Sequence, residues 1–267
     1  MSFVEVRDLW QSYGELSVLE RVNLEAEEGE FLSLVGASGC GKSTFLRLML
    51  GQERPVRGEI RVAGSPPAEE PGPERGIVFQ RYSVFPHMTV RDNLVAAEAF
   101  AAGRLGRFWG ARQREARAGA EDVLARIGLG HLARAWPHTL SGGQQQRLAI
   151  AQALAAKPRV LLLDEPFGAL DPGTRVQMHD FLAELRAETG MTVFMVTHDL
   201  EEGFKLGDRV IVFDKPRWDP DAPERYGATI TYDFDARDGG IPFQQPYGAS
   251  IRGTATTPMT ETPDADT

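Results

Sequence analysis

The chain of 267 residues predicts an α/β fold with a mostly parallel sheet covered by helices on both faces. Three observations predict it. Short apolar runs alternate with helix-like stretches, the order that yields parallel strands joined by crossover helices. Val160-Leu-Leu-Leu163 is apolar at every position, as a strand buried on both faces must be. Gly36-Ala-Ser-Gly-Cys-Gly-Lys-Ser43 stands between an apolar run, Phe31–Val35, and a helix-like segment, Thr44–Leu50, so a glycine loop joins a strand to a helix.

Taken in order, Phe3–Val6 and Leu19–Leu24 read as short strands around a loop that contains Tyr13. Glu27–Glu30 turns into the strand before the glycine loop. Pro55 and Gly58 break the following helix, and Glu59–Val62 reads as a strand. Residues 63–75, rich in Pro, Gly and Glu, read as a surface loop, and Gly76–Phe79 as a buried strand ending at Gln80. Thr89 can cap a helix through Ala99, and Ala111–Ile127 carries an apolar stripe at Ala120, Val123, Leu124 and Ile127. Residues 89–135 are therefore a helical insertion. Between its helices, Arg104–Gly110 is basic and aromatic, either a solvated loop that staples the helices or a partner contact. Ser141 can cap a helix running to Ala156. Arg175–Glu188 (stopped by Gly190) and Glu201–Leu206 read as helices, and Thr192–Val196 and Arg209–Phe213 as strands. Beyond about residue 215, Pro, Gly and acids dominate. Tyr226–Tyr232 can form one alternating strand, and 253–267 have the composition of a disordered tail.

Bulk properties narrow the function. A net charge of −9 without a long Lys/Arg block argues against a nucleic-acid partner and against direct lipid binding. No apolar run approaches the ~20 residues that span a bilayer, and the N-terminus lacks a basic region followed by an apolar one. The single cysteine excludes an intrachain disulfide and suits a reducing cytosol. The expectation is a soluble cytoplasmic chain whose link to a membrane runs through a partner protein.

Chemistry concentrates in a few stretches. The glycines at 36, 39 and 41, with Ala37, Ser38 and Cys40 between them, let successive backbone N–H groups face one anion ahead of a helix N-terminus. This is the pattern of a phosphate-binding (Walker A) loop. In it Lys42 reaches the β- and γ-phosphates of ATP, Ser43 binds Mg²⁺, and Thr44 follows on the helix. Asp164, at the end of the buried strand, can hold a Mg²⁺-bound water, and Glu165 can orient and deprotonate the attacking water. Read alone, the two acids are also a helix-start signal. Leu140-Ser-Gly-Gly-Gln-Gln-Gln-Arg147 places Ser141, Gly142, Gly143 and Gln144 at a second helix N-terminus, a second anion site. One ATP does not need two such sites in one chain, so the economical reading is that the second serves an ATP held by another copy.

With that segment on the page, residues 1–215 resemble the ATP-binding cassette (ABC) ATPases, the energy-coupling subunits of ABC transporters. The resemblance implies a P-loop NTPase (RecA-like) fold with an antiparallel β subdomain and a helical subdomain at about 89–157, followed by a partly disordered extension, 216–267. It implies that Ser141–Gln144 are the signature that meets the partner's ATP and that Tyr13 stacks on adenine. Gln80 then reaches the metal and senses the permease, Asp171 belongs to the D-loop of the dimer interface, and His198 contacts the γ-phosphate. It further implies a homodimer, transmembrane permease subunits, an extracytoplasmic solute-binding protein, and a place on the inner face of the membrane. Gly203 stands where alanine is common, and the tail is too short for the β domain that ends many of the family's importers. Gly36–Ser43, Phe79-Gln-Arg-Tyr-Ser-Val-Phe-Pro86 and the length are most similar to the nitrate/sulfonate/bicarbonate (taurine-type) importer group. Asp219–Tyr232 resembles a branch associated with small nitrogen compounds such as urea derivatives or guanidine. An ATPase of an ABC exporter or lipoprotein-release system is the alternative.

Overall fold

The computed structural model describes residues 2–66, 74–79, 84–101, 111–217, 219–222 and 224–237. Gln80, Arg104–Gly110 and the 253–267 tail lie outside the described residues, as do Tyr82 and Ser83. A three-stranded antiparallel sheet is built from β1 (Val4–Tyr13), β2 (Leu16–Ala26) and β4 (Arg57–Val62), with β1 in the centre. β1 and β2 are far longer than the short strands expected. Register shifts along their pairing, with left-handed φ at Asp8 and Arg21, interrupt the period of two that marks a strand in sequence. Tyr13 is therefore the last residue of a strand, paired with Leu16 across a two-residue turn.

The main sheet has six strands. They are β3 (Phe31–Gly36), β5 (Arg75–Val78), β6 (Val160–Asp164), β7 (Thr192–Val196), β8 (Arg209–Asp214) and β9 (Thr229–Asp235), ordered β5-β6-β7-β3-β8-β9. Every neighbouring pair is parallel except β8 with β9. The sheet thus continues past residue 215: the alternating tail segment is its sixth strand. Arg209 on β8 anchors it, with Nε donating to Asp233 Oδ1 at 3.0 Å and Nη1 to Glu25 O at 2.7 Å.

The parallel strands separate two cores. Val160, Leu162, Phe194 and Val196 pack with α1 (Lys42–Leu50) and the antiparallel sheet. Leu161, Leu163, Val193 and Met195 face the other way, toward α2 (Val90–Ala101), α3 (Ala111–Arg126), α4 (Gly142–Ala155) and α5 (Pro172–Thr189). Burying both faces is why 160–163 is apolar throughout, since each such side chain contributes roughly 1.5–3 kcal/mol. Ala120, Leu124 and Ile127 of the expected stripe are buried. Thr89 caps α2, its Oγ1 accepting from Asp92 N at 3.2 Å. The last helix, α6 (Leu200–Leu206), is capped by Asp199.

Candidate functional site

The C-terminal ends of β3, β6, β7 and β8 meet on one edge of the sheet. Gly36 is paired with Phe213, Leu34 with Val196, and Val196 with Asp164. This register brings the glycine loop, the two acids and the turn carrying His198 to a common edge, the place where open α/β sheets bind ligands.

The loop's shape depends on missing side chains. At Gly36, a Cβ would lie 2.2 Å from Phe213 O, and at Gly41 (φ 86°) it would lie 2.7 Å from Leu19 Cδ2. Ala37, Ser38, Gly39 and Ser43 are exposed, whereas Cys40, Lys42 and Thr44 are buried. Lys42 Nζ donates to Gly36 O at 2.8 Å and Ala37 O at 2.9 Å, and lies 3.5 Å from Cys40 Sγ. Its ammonium therefore sits inside the curl of the loop. Gly41, the N-cap of α1, supplies no side-chain acceptor, so the first-turn N–H groups are left without a side-chain cap. Open N–H donors, a helix N-terminus and an enclosed ammonium are what a polyphosphate needs; the residues fit one.

Asp164 ends β6, half-buried. Glu165 is held at φ 50°, a left-handed conformation that a non-glycine residue adopts at a cost. Two backbone bonds hold it there: its N–H donates to Val196 O at 3.0 Å, and its carbonyl accepts from Gln146 Nε2 at 3.3 Å. His198 is exposed, with Nδ1 3.9 Å from Glu165 Oε2. A carboxyl and an imidazole at this spacing on the edge that holds the loop are suited to proton transfer at a bound water. Tyr13 is 44% exposed, and its hydroxyl donates to Glu53. Partial burial, then the Glu53 carboxyl, push its pKa up.

The helix start expected at Ser141 is formed, with the cap in place. Ser141 and Gln144 make a reciprocal capping box, with Gln144 N donating to Ser141 Oγ at 3.3 Å and Ser141 N to Gln144 Oε1 at 2.9 Å. Gly142 is exposed and Gly143 half-buried. Asp171 caps α5 through Thr174 N at 3.0 Å. Hydrogen bonds from the Thr174 side chain and then its backbone lower the Asp171 pKa.

Two groups of supporting residues escaped the sequence reading. Gln146, buried within α4, grips the Glu165 carbonyl and so ties α4 to the acidic turn. Beneath His198, Thr197 Oγ1 donates to Glu202 Oε2 at 2.7 Å, and His179 Nε2 lies 3.0 Å from Glu202 Oε1. His179 in turn packs edge-on against Phe167, with ring centroids 4.7 Å apart. No local spacing announces contacts between residues on separate elements; a Glu and a His on helices read as surface.

Comparison with known proteins agrees with this geometry. The ABC transporter family profile matches residues 19–168. The aliphatic sulfonates import ATP-binding protein SsuB 2 of Agrobacterium fabrum is 43% identical over 212 residues, 79% of this chain and 76% of that protein. The bicarbonate transport ATP-binding protein CmpC of Synechococcus elongatus is 43% identical over 79% of this chain, a match spanning 31% of its own length. Among solved structures, a dimeric bacterial ABC transporter cassette, MJ0796, superposes with a TM-score of 0.71 at 30% identity, covering 88% of this chain and 99% of that one. A glycine loop around a buried lysine, acids at the end of a strand one removed in the same sheet and a profile spanning both thus lead to one assignment: the chain has the P-loop NTPase fold and belongs to the ABC transporter family, as an ATPase cassette.

Proposed function

We propose that this ATPase energises uptake of a small solute through a transmembrane permease, by ATP-driven closure of a homodimer. The observation that carries the split-site part is the presence of two anion-suited helix ends, at Gly41 and at Ser141, in a chain with one phosphate loop. Each ATP would take Gly36–Thr44, Gln80, Asp164, Glu165 and His198 from one copy and Ser141–Gln144 from the other, with Asp171 at the interface and Tyr13 against the adenine. Phosphoryl transfer is mostly positioning and charge stabilisation, so dividing the site makes hydrolysis depend on closure. Closure pulls on the permease, and product release resets it.

Ser43, Asp164 and Gln80 would hold Mg²⁺, their oxygens suiting a hard cation bound mainly through phosphates, whose charge it neutralises. Glu165 orients and deprotonates water, and His198 steadies the γ-phosphate. In this reading residues 1–215 are the ATPase unit, 89–157 its helical subdomain and 216–267 an extension whose Thr229–Asp235 strand is the sixth of the main sheet.

Uptake is favoured over export by the relatives' names, which include nitrate, bicarbonate, sulfate and aliphatic sulfonate import or transport. Nitrate, a sulfonate such as taurine, or a small nitrogen compound such as guanidine is the proposed cargo class, delivered by an extracytoplasmic solute-binding protein. The permease would dock beside Phe85 and Phe100, whose rings lie 5.8 Å apart, Phe100 exposed on α2 and Phe85 half-buried in the segment before it. Among the described residues no helix is long and apolar enough to cross a membrane; the proposed place, on the inner face of the membrane in the cytoplasm, rests on the permease partner. The direct test is Glu165→Gln. Turnover should fall by about 10²–10⁴, the usual worth of a general base, while ATP stays bound and dimers accumulate on a sizing column. Hydrolysis at the parental rate would remove the assignment.

A further inference from the structure

The excursion between β8 and β9, residues 215–228, of which 215–217, 219–222 and 224–228 are described, touches the phosphate loop's supports at both ends through those residues. It leaves the sheet after Asp214, next to Phe213, whose carbonyl lies against Gly36, the first glycine of the loop. It returns at Ala228, fully buried, which forms an isolated parallel bridge with Leu19 on β2. There Ala228 N donates to Val18 O at 2.9 Å, and Ala228 O accepts from Glu20 N at 2.8 Å. The same Val18 carbonyl would stand 3.2 Å from a Cβ at Gly41, the last glycine of the loop. Further clasps hold the excursion down. Glu224 O accepts from Ser17 N at 2.8 Å, the Glu20 carboxyl accepts from Gly227 N at 3.3 Å, and Arg217 pairs with Glu20. Arg217 also lies over the Tyr226 ring at 4.4 Å. Gly227 can be only glycine in this seat, because a Cβ there would meet Leu19 C at 2.8 Å and Glu20 N at 3.0 Å.

We propose that residues 215–228 are a brace that presses β2 against Gly41 and so keeps the phosphate loop in its binding shape, making Gly227 and Glu20 positioning residues for ATP. The proposal rests on the reading of Gly36–Thr44 as the ATP loop. Releasing the brace lowers the fraction of molecules with a competent loop, and apparent affinity falls by that fraction. The acting chemistry, on the opposite lip, is untouched.

The test uses the full chain, a fluorescent ATP analogue, turnover at saturating ATP, and melting without nucleotide. Gly227→Val should raise the analogue's Kd roughly tenfold, with saturating turnover within about twofold of the parent and a near-parental melting temperature. Glu20→Ala removes the Gly227 acceptor and the Arg217 partner by a gentler route and should raise Kd about threefold. Glu20→Gln keeps the acceptor and should restore parental binding. Parental Kd in Glu20→Ala, or in a folded Gly227→Val, overturns the brace. A loss of turnover and of melting temperature in step with the loss of affinity, without rescue by Glu20→Gln, also overturns it. Lys42→Ala separates the two levels of the argument. It should abolish analogue binding; if it binds, the loop reading fails, whereas a dead Lys42→Ala beside unaffected brace variants refutes the brace alone.

Discussion

Lys42, Glu165 and Thr197 show how single residues near the loop are held by groups far away in sequence. Lys42 donates to carbonyls five and six positions earlier, so the ammonium is enclosed by the loop it serves. Glu165 keeps its left-handed backbone because Val196 and Gln146 both bond it. Thr197 is the link between the His198 turn and the buried Glu202–His179 pair. Thr197→Val removes that hydroxyl and leaves a buried carboxyl short of a donor, which should cost about 1–3 kcal/mol. Urea unfolding should show this as a lower midpoint with an unchanged slope; an unchanged midpoint would mean the hydroxyl contributes nothing. Cys40, 4% exposed beside Lys42, is a packing residue of the loop despite lying among its glycines.

Elements are aimed by their ends. α1 starts without a side-chain cap and offers its N–H groups outward; α4, α5 and α6 start with Ser141, Asp171 and Asp199 as caps. The α5 cap makes a pH prediction. The Asp171 pKa lies below the ordinary 3.8 in the folded chain, so its contribution to stability is complete above that value and is lost as pH falls through the depressed one. Asp171→Asn removes this titration while keeping a capping oxygen. The stability gap between parent and variant should therefore be full at about pH 6 and close toward about pH 2. Urea titrations across that range would show it, and a gap constant with pH would exclude the assigned cause. The helix itself began earlier than periodicity indicated, at Pro172, because a proline is tolerated in the first turn after a cap.

At the scale of the molecule, one sheet edge gathers the nucleotide machinery and a second sheet, through β2, supports it from behind. If each ATP site needs Ser141–Gln144 from a twin, specific turnover should fall steeply when the protein is diluted below its dimerisation range. A stopped dilution assay would read this directly, and constant activity per chain would argue for a self-sufficient monomer. Much of this was legible beforehand. The parallel strands, the loop, Asp164–Glu165 and the Ser141 cap are local patterns, each written within a dozen residues. The length of β1 and β2 was not, because bulges at Asp8 and Arg21 destroy the alternation that advertises a strand. Nor was the sixth strand's place: Thr229–Asp235 is held by Arg209 and by pairing with β8, contacts that leave no periodic trace.

By itself the sequence determined the chemistry: which stretches are glycine-rich, apolar or acidic, and therefore which can cradle phosphate, cross a core or hold a proton. Local pattern suffices for that, because the dihedral freedom of glycine and the alternation of apolar side chains act over a few bonds. Tertiary structure alone decided what steadies those stretches. Gln146 reaching Glu165 across 19 positions, Glu202 reaching His179 across 23 and Gly227 reaching Glu20 across 207 are meetings that only the folded chain brings within reach of a hydrogen bond.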